Sequence, residues 1–565
     1  MEPLSRRDRI VLLAVMGTGV FLAGLELMVT AVALPAIVAD IAGWTRLREA
    51  SWIINGYLLV SVVTMPLAGR MADLWGTRRL FLGALAVFTL GSLLAGMAPT
   101  LELLIAARLV QAVGGGALIP VATSGASHLF PGAGRPRALG VVASLTFLGM
   151  AAGPFLGAAI LGAVHPAAAL SQLGVDPATL PGSLLVPAWR WVFYVNVPIG
   201  IIALVVAWAA SSGWETPRRP GRLDIVGGLL FSAFLVGGLG ALTLLGSQAE
   251  PASDGPDPTV VAAVLAVVAI VTGVASVMRG LRVRDPFLDP RLFRHAGFAS
   301  ATAVSLLTGY GLATAIVGAA VFVDRVLYGG PDEQRLALGA LAGATAVGAL
   351  SSGFIVRVVS LRLVTLAGLS ASIVALVVMS GWTTATPVGA AALALAVFGL
   401  GFGATVTPRS TAAVAAVGRE AYGMAASTVT VARMVGMAIG LAILTAYGST
   451  TIDRLYDQVY ATADSYKAYI APSLQDRPLR DGLVIEALEN WAAGEAAEIM
   501  VGVFLVAAVV TALAIPPSLL LDRRRMLGST GPVQTPDDAA GAPSGATDAD
   551  AGSDPDLELP VIGGA

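Results

Sequence analysis

The chain contains no cysteine, three histidines and a single lysine, Lys467, in 565 residues. Without thiols it has no disulfides, iron–sulfur clusters or thiol chemistry, and with no histidine in the middle of an apolar run neither a metal nor a cofactor is expected. One lysine that lies in no G-x-x-x-x-G-K-[ST] context excludes a phosphate-cradling loop, and with it an ATP-driven pump of the P-loop kind. Charged residues are only 12% of the chain and the net charge is -2, with the basic residues spread over short segments, so nothing marks a nucleic-acid surface.

What the sequence has in quantity is hydrocarbon. It is 56% hydrophobic with a mean hydropathy of +0.81, which a soluble domain's mixed surface does not give. A helix crosses the bilayer with about 20 apolar residues, because the core is about 30 Å thick and each residue rises about 1.5 Å. Fourteen such runs are expected, beginning near Ile10, Ala50, Leu80, Leu103, Leu139, Trp191, Leu223, Thr259, Gly297, Arg335, Leu363, Val388, Tyr422 and Met500. The fold class is therefore an all-α membrane protein. Most Lys and Arg fall on one set of loops, which the positive-inside rule assigns to the cytoplasm together with both termini of a multi-pass protein of the cytoplasmic membrane. No cleavable signal is evident.

Charged, Pro-containing connectors divide the spans six, two and six: "WETPRRPGRLD" from Trp214 to Asp224, and "MRGLRVRDPFLDPRLFRH" from Met278 to His295. The expected units are 1–211, a linking pair at 212–282, and 283–526 with an extended outer loop at about 449–499. The tail at 527–565 is too poor in apolar residues to fold and is expected to be disordered. In the outer loop, Ile452, Leu455, Tyr456, Val459 and Tyr460 have helical spacing. They describe an amphipathic helix that lies on the bilayer or meets a partner, or else two spans that project beyond the membrane and pack together.

Four stretches carry most of the chemistry. "GRMADLWGTRR" (Gly69 to Arg79) is a tight turn with Gly69, Asp73, Gly76, Arg78 and Arg79 in fixed register; the two arginines alone would also fit ordinary membrane anchoring. "RLVQAVGGGALIP" holds Arg108, and "GMAAGPFLGAA" sets Gly149, Gly153, Pro154 and Gly157 on one smooth, kinkable face. "WRWVFYVNVPIG" (Trp189 to Gly200) opens the sixth span. The pattern resembles the major facilitator superfamily, and with fourteen spans it is similar to the drug–proton antiporters of the EmrB/QacA type. That resemblance implies two six-helix bundles with two additional helices between them, alternating access, Asp73 with Arg78 as a conformational latch against the other bundle, and Gly149 to Gly157 as the antiporter motif. Shorter runs, "WIINGYLL" at Trp52, "VDRVLYG" at Val323 and "VARMVGM" at Val431, look like the mycobacterial lipid and drug exporters that work with a lipoprotein. The acid which those exporters carry in span 5 is replaced here by Phe147.

Glu26 lies near the middle of the first span, where a charge costs roughly 2.5–3.5 kcal/mol on insertion scales and so faces a cavity or a partner. Burial disfavours the ionised carboxylate, which lets it gain and lose a proton near neutral pH. A permanently paired structural carboxylate is the alternative. Arg433, deeper in its span than any other arginine of the chain, is the expected partner, and Arg108 an additional member of the proton-coupling network. These features describe a proton-coupled exporter of hydrophobic or amphipathic drugs, cations included, in contact with membrane lipids. The alternatives are a lipid exporter, of triacylglyceride or glycolipid, with an extracytoplasmic lipoprotein partner, or a scaffold or sensor that transports nothing. No motif supports an enzyme.

Overall fold

The computed structural model describes residues 4–43, 46–164, 179, 184–218, 220–246, 257–460 and 464–521. The tail expected to be disordered lies outside the described residues. Among the described residues fourteen helices are long and apolar enough to cross a membrane. They are α1 (Arg6–Ile37), α2 (Trp52–Trp75), α3 (Thr77–Met97), α4 (Leu101–Leu129), α5 (Arg135–Ala163) and α6 (Ala188–Ala210). The next two are α7 (Ile225–Gly246) and α8 (Pro258–Arg282). After them come α9 (Ala296–Val321), α10 (Pro331–Ile355), α11 (Leu361–Met379), α12 (Val388–Ala415), α13 (Tyr422–Tyr460) and α14 (Gly482–Ala512).

Thirteen of these begin within about one turn of the position expected from hydropathy. The last does not: α14 starts at Gly482 rather than near Met500. Its first turns carry Glu486, Glu489, Glu495 and Glu498, which end a hydropathy window without ending a helix. The opening is capped by Asp481, whose side chain accepts from the Leu483 amide at 2.9 Å.

The packing of the first six helices is repeated by the last six. In the first set α1 lies on α5, while α2 and α3 both lie on α4. In the second, α9 lies on α13, and α10 and α11 lie on α12. Each set has its own apolar core, one running through Met16, Leu22, Phe88 and Phe193, the other through Phe322, Leu376, Phe398 and Phe504. The sets meet where α5 packs on α10 and where α2 packs on α13, two contacts that the internal repeat makes equivalent. Helix α7 packs on α8 and also reaches α13 and α2. Helix α8 leaves Val264, Ile270 and Val271 more than half exposed, an apolar flank suited to lipid.

Between helices in lipid there is no hydrophobic drive, so close approach depends on small residues. At Gly149 a Cβ would stand 2.1 Å from the Phe21 carbonyl oxygen. The smooth face of "GMAAGPFLGAA" is thus filled by α1 of the same set, because Gly153 and Gly157 continue that contact against Met28, Val29 and Val32. Helix α5 runs unbroken through Pro154.

The extended loop resolves into a projection of two spans. Helix α13 continues for 39 residues to Tyr460, and beyond the membrane-length portions Val459, Tyr466, Ile470 and Val484 close a small apolar core with Trp491 against it. Of the two expected arrangements this is the packed one. The side chains of Ile452, Leu455, Tyr456 and Tyr460 lie outside the described residues.

Candidate functional site

Three polar assemblies are buried among the helices. The first surrounds Glu26, which is fully buried on α1. Its Oε1 accepts from Arg108 Nη1 at 2.5 Å and from the Thr30 hydroxyl at 2.9 Å, and its Oε2 accepts from Asn196 Nδ2 at 2.7 Å. Arg108 also donates to Gln111 Oε1 at 2.5 Å and, through Nε, to the Ile53 carbonyl at 3.2 Å. Its guanidinium lies 4.1 Å from the Tyr57 ring centroid. Gln111 in turn donates to Ser92 at 2.6 Å. Local spacing produces the cluster: Arg108 and Gln111 are i, i+3 on α4, and Glu26 and Thr30 are i, i+4 on α1, so each pair shares a helix face. One atom stands apart, since Asn196 Oδ1 is buried with no hydrogen-bond partner.

The partner of Glu26 is therefore Arg108, and the expected pairing with Arg433 is corrected. The reason is helix orientation. Glu26 faces α4 and α6, whereas Arg433 lies 5.5 Å over the Phe147 ring of α5 in the other direction. Spacing along α1 and α13 carried no information about these facings.

The second assembly is the turn after α2. Both Asp73 carboxylate oxygens accept main-chain amides from the start of α13, Gly423 N at 2.7 Å and Met424 N at 2.8 Å. A carboxylate there meets the positive end of the helix dipole and two otherwise unpartnered amides. The crossing is tight enough that a Cβ on Gly69 would stand 2.5 Å from the Gly423 carbonyl oxygen. Gly76, at φ +94, has the left-handed conformation that the turn into α3 demands. Arg78 donates to Ser211 at 2.9 Å, and Arg79 points outward, exposed. Asp73 thus joins the two helix sets, while Arg78 ties the turn to the end of α6.

The third assembly was not foreseen. Arg409 was not singled out among the candidate residues, yet α12 runs through its stretch of the chain and buries it to 1% exposure. Its Nη1 donates to the Thr308 hydroxyl at 2.5 Å. With Arg433 it lines a cavity of ≈ 40 Å³ between α4, α5, α9, α12 and α13. The polar residues Asn196, Gln111 and Thr30 of the first assembly were missed as well; Asn196 and Gln111 stand inside the motifs already singled out, and neutral amides do not interrupt a hydropathy profile. Among the described residues no cluster of His, Cys, Asp and Glu suits a metal ion.

The sequence model described as Major Facilitator Superfamily matches residues 16–441. A triacylglyceride transporter of Mycolicibacterium hassiacum is 31% identical over 457 residues, 78% of this chain and 80% of that protein. A multidrug resistance protein B homolog of Mycobacterium tuberculosis is 29% identical over 78% of this chain and 76% of its own length. Among solved structures, a bacterial homolog of the human lysosomal transporter Spinster superposes with a TM-score of 0.53 at 17% identity, covering 92% of this chain and 98% of that one, which speaks for the fold alone. Two helix sets with matching internal packing, fourteen membrane-length helices and a family match spanning most of the chain agree: this protein is a transporter of the major facilitator superfamily.

Proposed function

We propose that this transporter exports lipids or lipid-like amphipathic molecules across the cytoplasmic membrane in exchange for protons, with both termini in the cytoplasm. The observation that carries the proton part of the reading is the carboxylate of Glu26, buried and compensated by one arginine, one carboxamide and the Thr30 hydroxyl. While Glu26 is ionised, Arg108, Asn196 and Thr30 satisfy it. A proton arriving on Oε2 removes the charge that holds Arg108, and a half-turn of the Asn196 amide would present Oδ1 as acceptor for the new O–H. Such a cluster has two arrangements that differ by one proton, which is what coupling requires.

Rocking of the helix sets supplies the other half of the cycle. Asp73 on the α13 N-terminus stabilises the arrangement in which α2 and α13 are in contact, and its loss accompanies the opposite one. Lipid as cargo is favoured by the name carried by the triacylglyceride transporter of Mycolicibacterium hassiacum, and drugs remain a second reading through the multidrug resistance homolog. The projecting ends of α13 and α14 are where we place contact with an extracytoplasmic lipoprotein.

Proteoliposomes with an imposed pH gradient test the reading. Labelled triacylglyceride and a fluorescent lipophilic cation are followed in parallel, with intact protein and with Glu26→Gln. Gradient-driven movement of lipid that falls at least tenfold in the variant is expected. Movement that ignores the gradient, or that survives in Glu26→Gln, would overturn the proton role.

A further inference from the structure

We propose that the cavity between the helix sets binds an oxyanion, the carboxylate or phosphate headgroup of an amphiphile, through Arg409 and Arg433. The inference deepens the transport reading and rests on it only for the ligand's being cargo.

Two guanidinium groups face this space. Arg409 is 1% exposed and Arg433 8%, and both line the same cavity. No ion pair is formed by either among the described residues. Arg433 Nε is buried without a hydrogen-bond partner. The neutral groups around them compensate only in part: the Thr308 hydroxyl accepts from Arg409, whereas the hydroxyls of Thr146, Ser305 and Thr430 donate to main-chain carbonyls, and the remaining wall is largely apolar, with Phe147 against Arg433. Two like charges in a low-dielectric space repel each other and lose their hydration, so the arrangement is unfavourable until an anion joins it. A guanidinium presents parallel N–H donors that match a carboxylate or phosphate, in preference to a neutral ester or a cation. A volume of ≈ 40 Å³ has room for a headgroup-sized oxyanion but not for an acyl chain, which would lie between the sets as they part.

Purified full-length protein, delipidated in an uncharged detergent with no gradient, is titrated with radiolabelled oleate, lysophosphatidate and monoolein. The two anionic amphiphiles should bind at least tenfold more tightly than monoolein. Arg433→Gln should remove that preference and Arg433→Lys retain part of it. Phe147→Glu adds a carboxylate beside Arg433 instead of removing a charge, so it remains informative should Arg433→Gln fail to fold; it should suppress the anionic ligands and spare monoolein. Competition by millimolar inorganic phosphate would identify a site for the free anion as well, whereas indifference to it would confine the site to headgroups held by their tails. Equal binding of all three amphiphiles by the intact protein, or a preference for the anions that survives Phe147→Glu and Arg433→Gln, would overturn the proposal. Binding here needs no proton coupling, so failure of the exchange reading leaves this result interpretable.

Discussion

The two buried arginine clusters of this transporter are built alike and charged differently. On one side Arg108 lies against the Tyr57 ring at 4.1 Å and meets a carboxylate at 2.5 Å. On the other, Arg409 and Arg433 lie against Phe402 and Phe147 at 5.1 and 5.5 Å and pair with no carboxylate among the described residues. An aromatic face helps a guanidinium leave water, but it supplies only a fraction of what an anion does. The first cluster is therefore neutral within itself, and the second holds two guanidinium groups with no ion pair among the described residues; on the reading proposed above, the first serves coupling and the second binding.

The comparison breaks most visibly at Arg108. Arg108→Gln leaves Glu26 buried without its counter-charge, and removing one partner of a buried pair costs about 3–5 kcal/mol. A large fall in melting temperature in detergent is expected, with much of it restored in the double variant Glu26→Gln/Arg108→Gln, where nothing charged is left unpaired. If the double variant melted as low as the single one, the pairing would not be what holds this region together.

A smaller effect is expected at the contact between the sets. Asp73→Asn keeps the shape and removes the charge from the α13 N-terminus, a loss of about 1–2 kcal/mol by the usual worth of a charged hydrogen bond at a helix end. Because the chain has no cysteine of its own, a thiol placed at Ser427, buried at this crossing, reports the crossing alone. Its labelling by a maleimide should be several-fold faster when Asp73→Asn is present. Unchanged labelling would remove Asp73 from the latch.

The smallest effect concerns Asp224, which links the start of α7 to the end of α8. Burial pushes this carboxyl up, but Arg279 at 2.9 Å and the Gly227 and Phe287 amides outweigh it, and the group is held below the usual carboxylate range. A group held low contributes stability above its ordinary range and loses that contribution as the pH falls through its own, lower value. The stability gap between parent and Asp224→Asn should accordingly be constant near neutrality and close in strong acid. A gap that widened with acid would reverse the sign of the argument.

How much of this was legible in the sequence follows from how each feature interrupts a pattern. Glu26 and Arg108 stand out because a charge in an apolar run is conspicuous, and Asp73 because its turn has a fixed register. Asn196 and Gln111 are polar without being charged, and membrane helices tolerate both. Arg409 was hidden by its neighbours, since Pro408 with Ser410 and Thr411 imitates the end of a span, whereas in the structure α12 continues to Ala415. The Glu26 partner was misassigned for a different reason: depth in the membrane can be counted along a chain, but which faces meet is decided by packing between helices. The same limit applies to the glycines of α5, whose smooth face was evident and whose occupant, α1, was not.

Most direct is a side-by-side melt of Arg433→Gln and Arg108→Gln, delipidated, in an uncharged detergent. The account predicts that Arg433→Gln melts at or above the parent, because it relieves an uncompensated charge, while Arg108→Gln melts far below it. Equal losses in the two variants would mean that Arg433 is already compensated within the protein, and would contradict the division into a paired cluster and an open one.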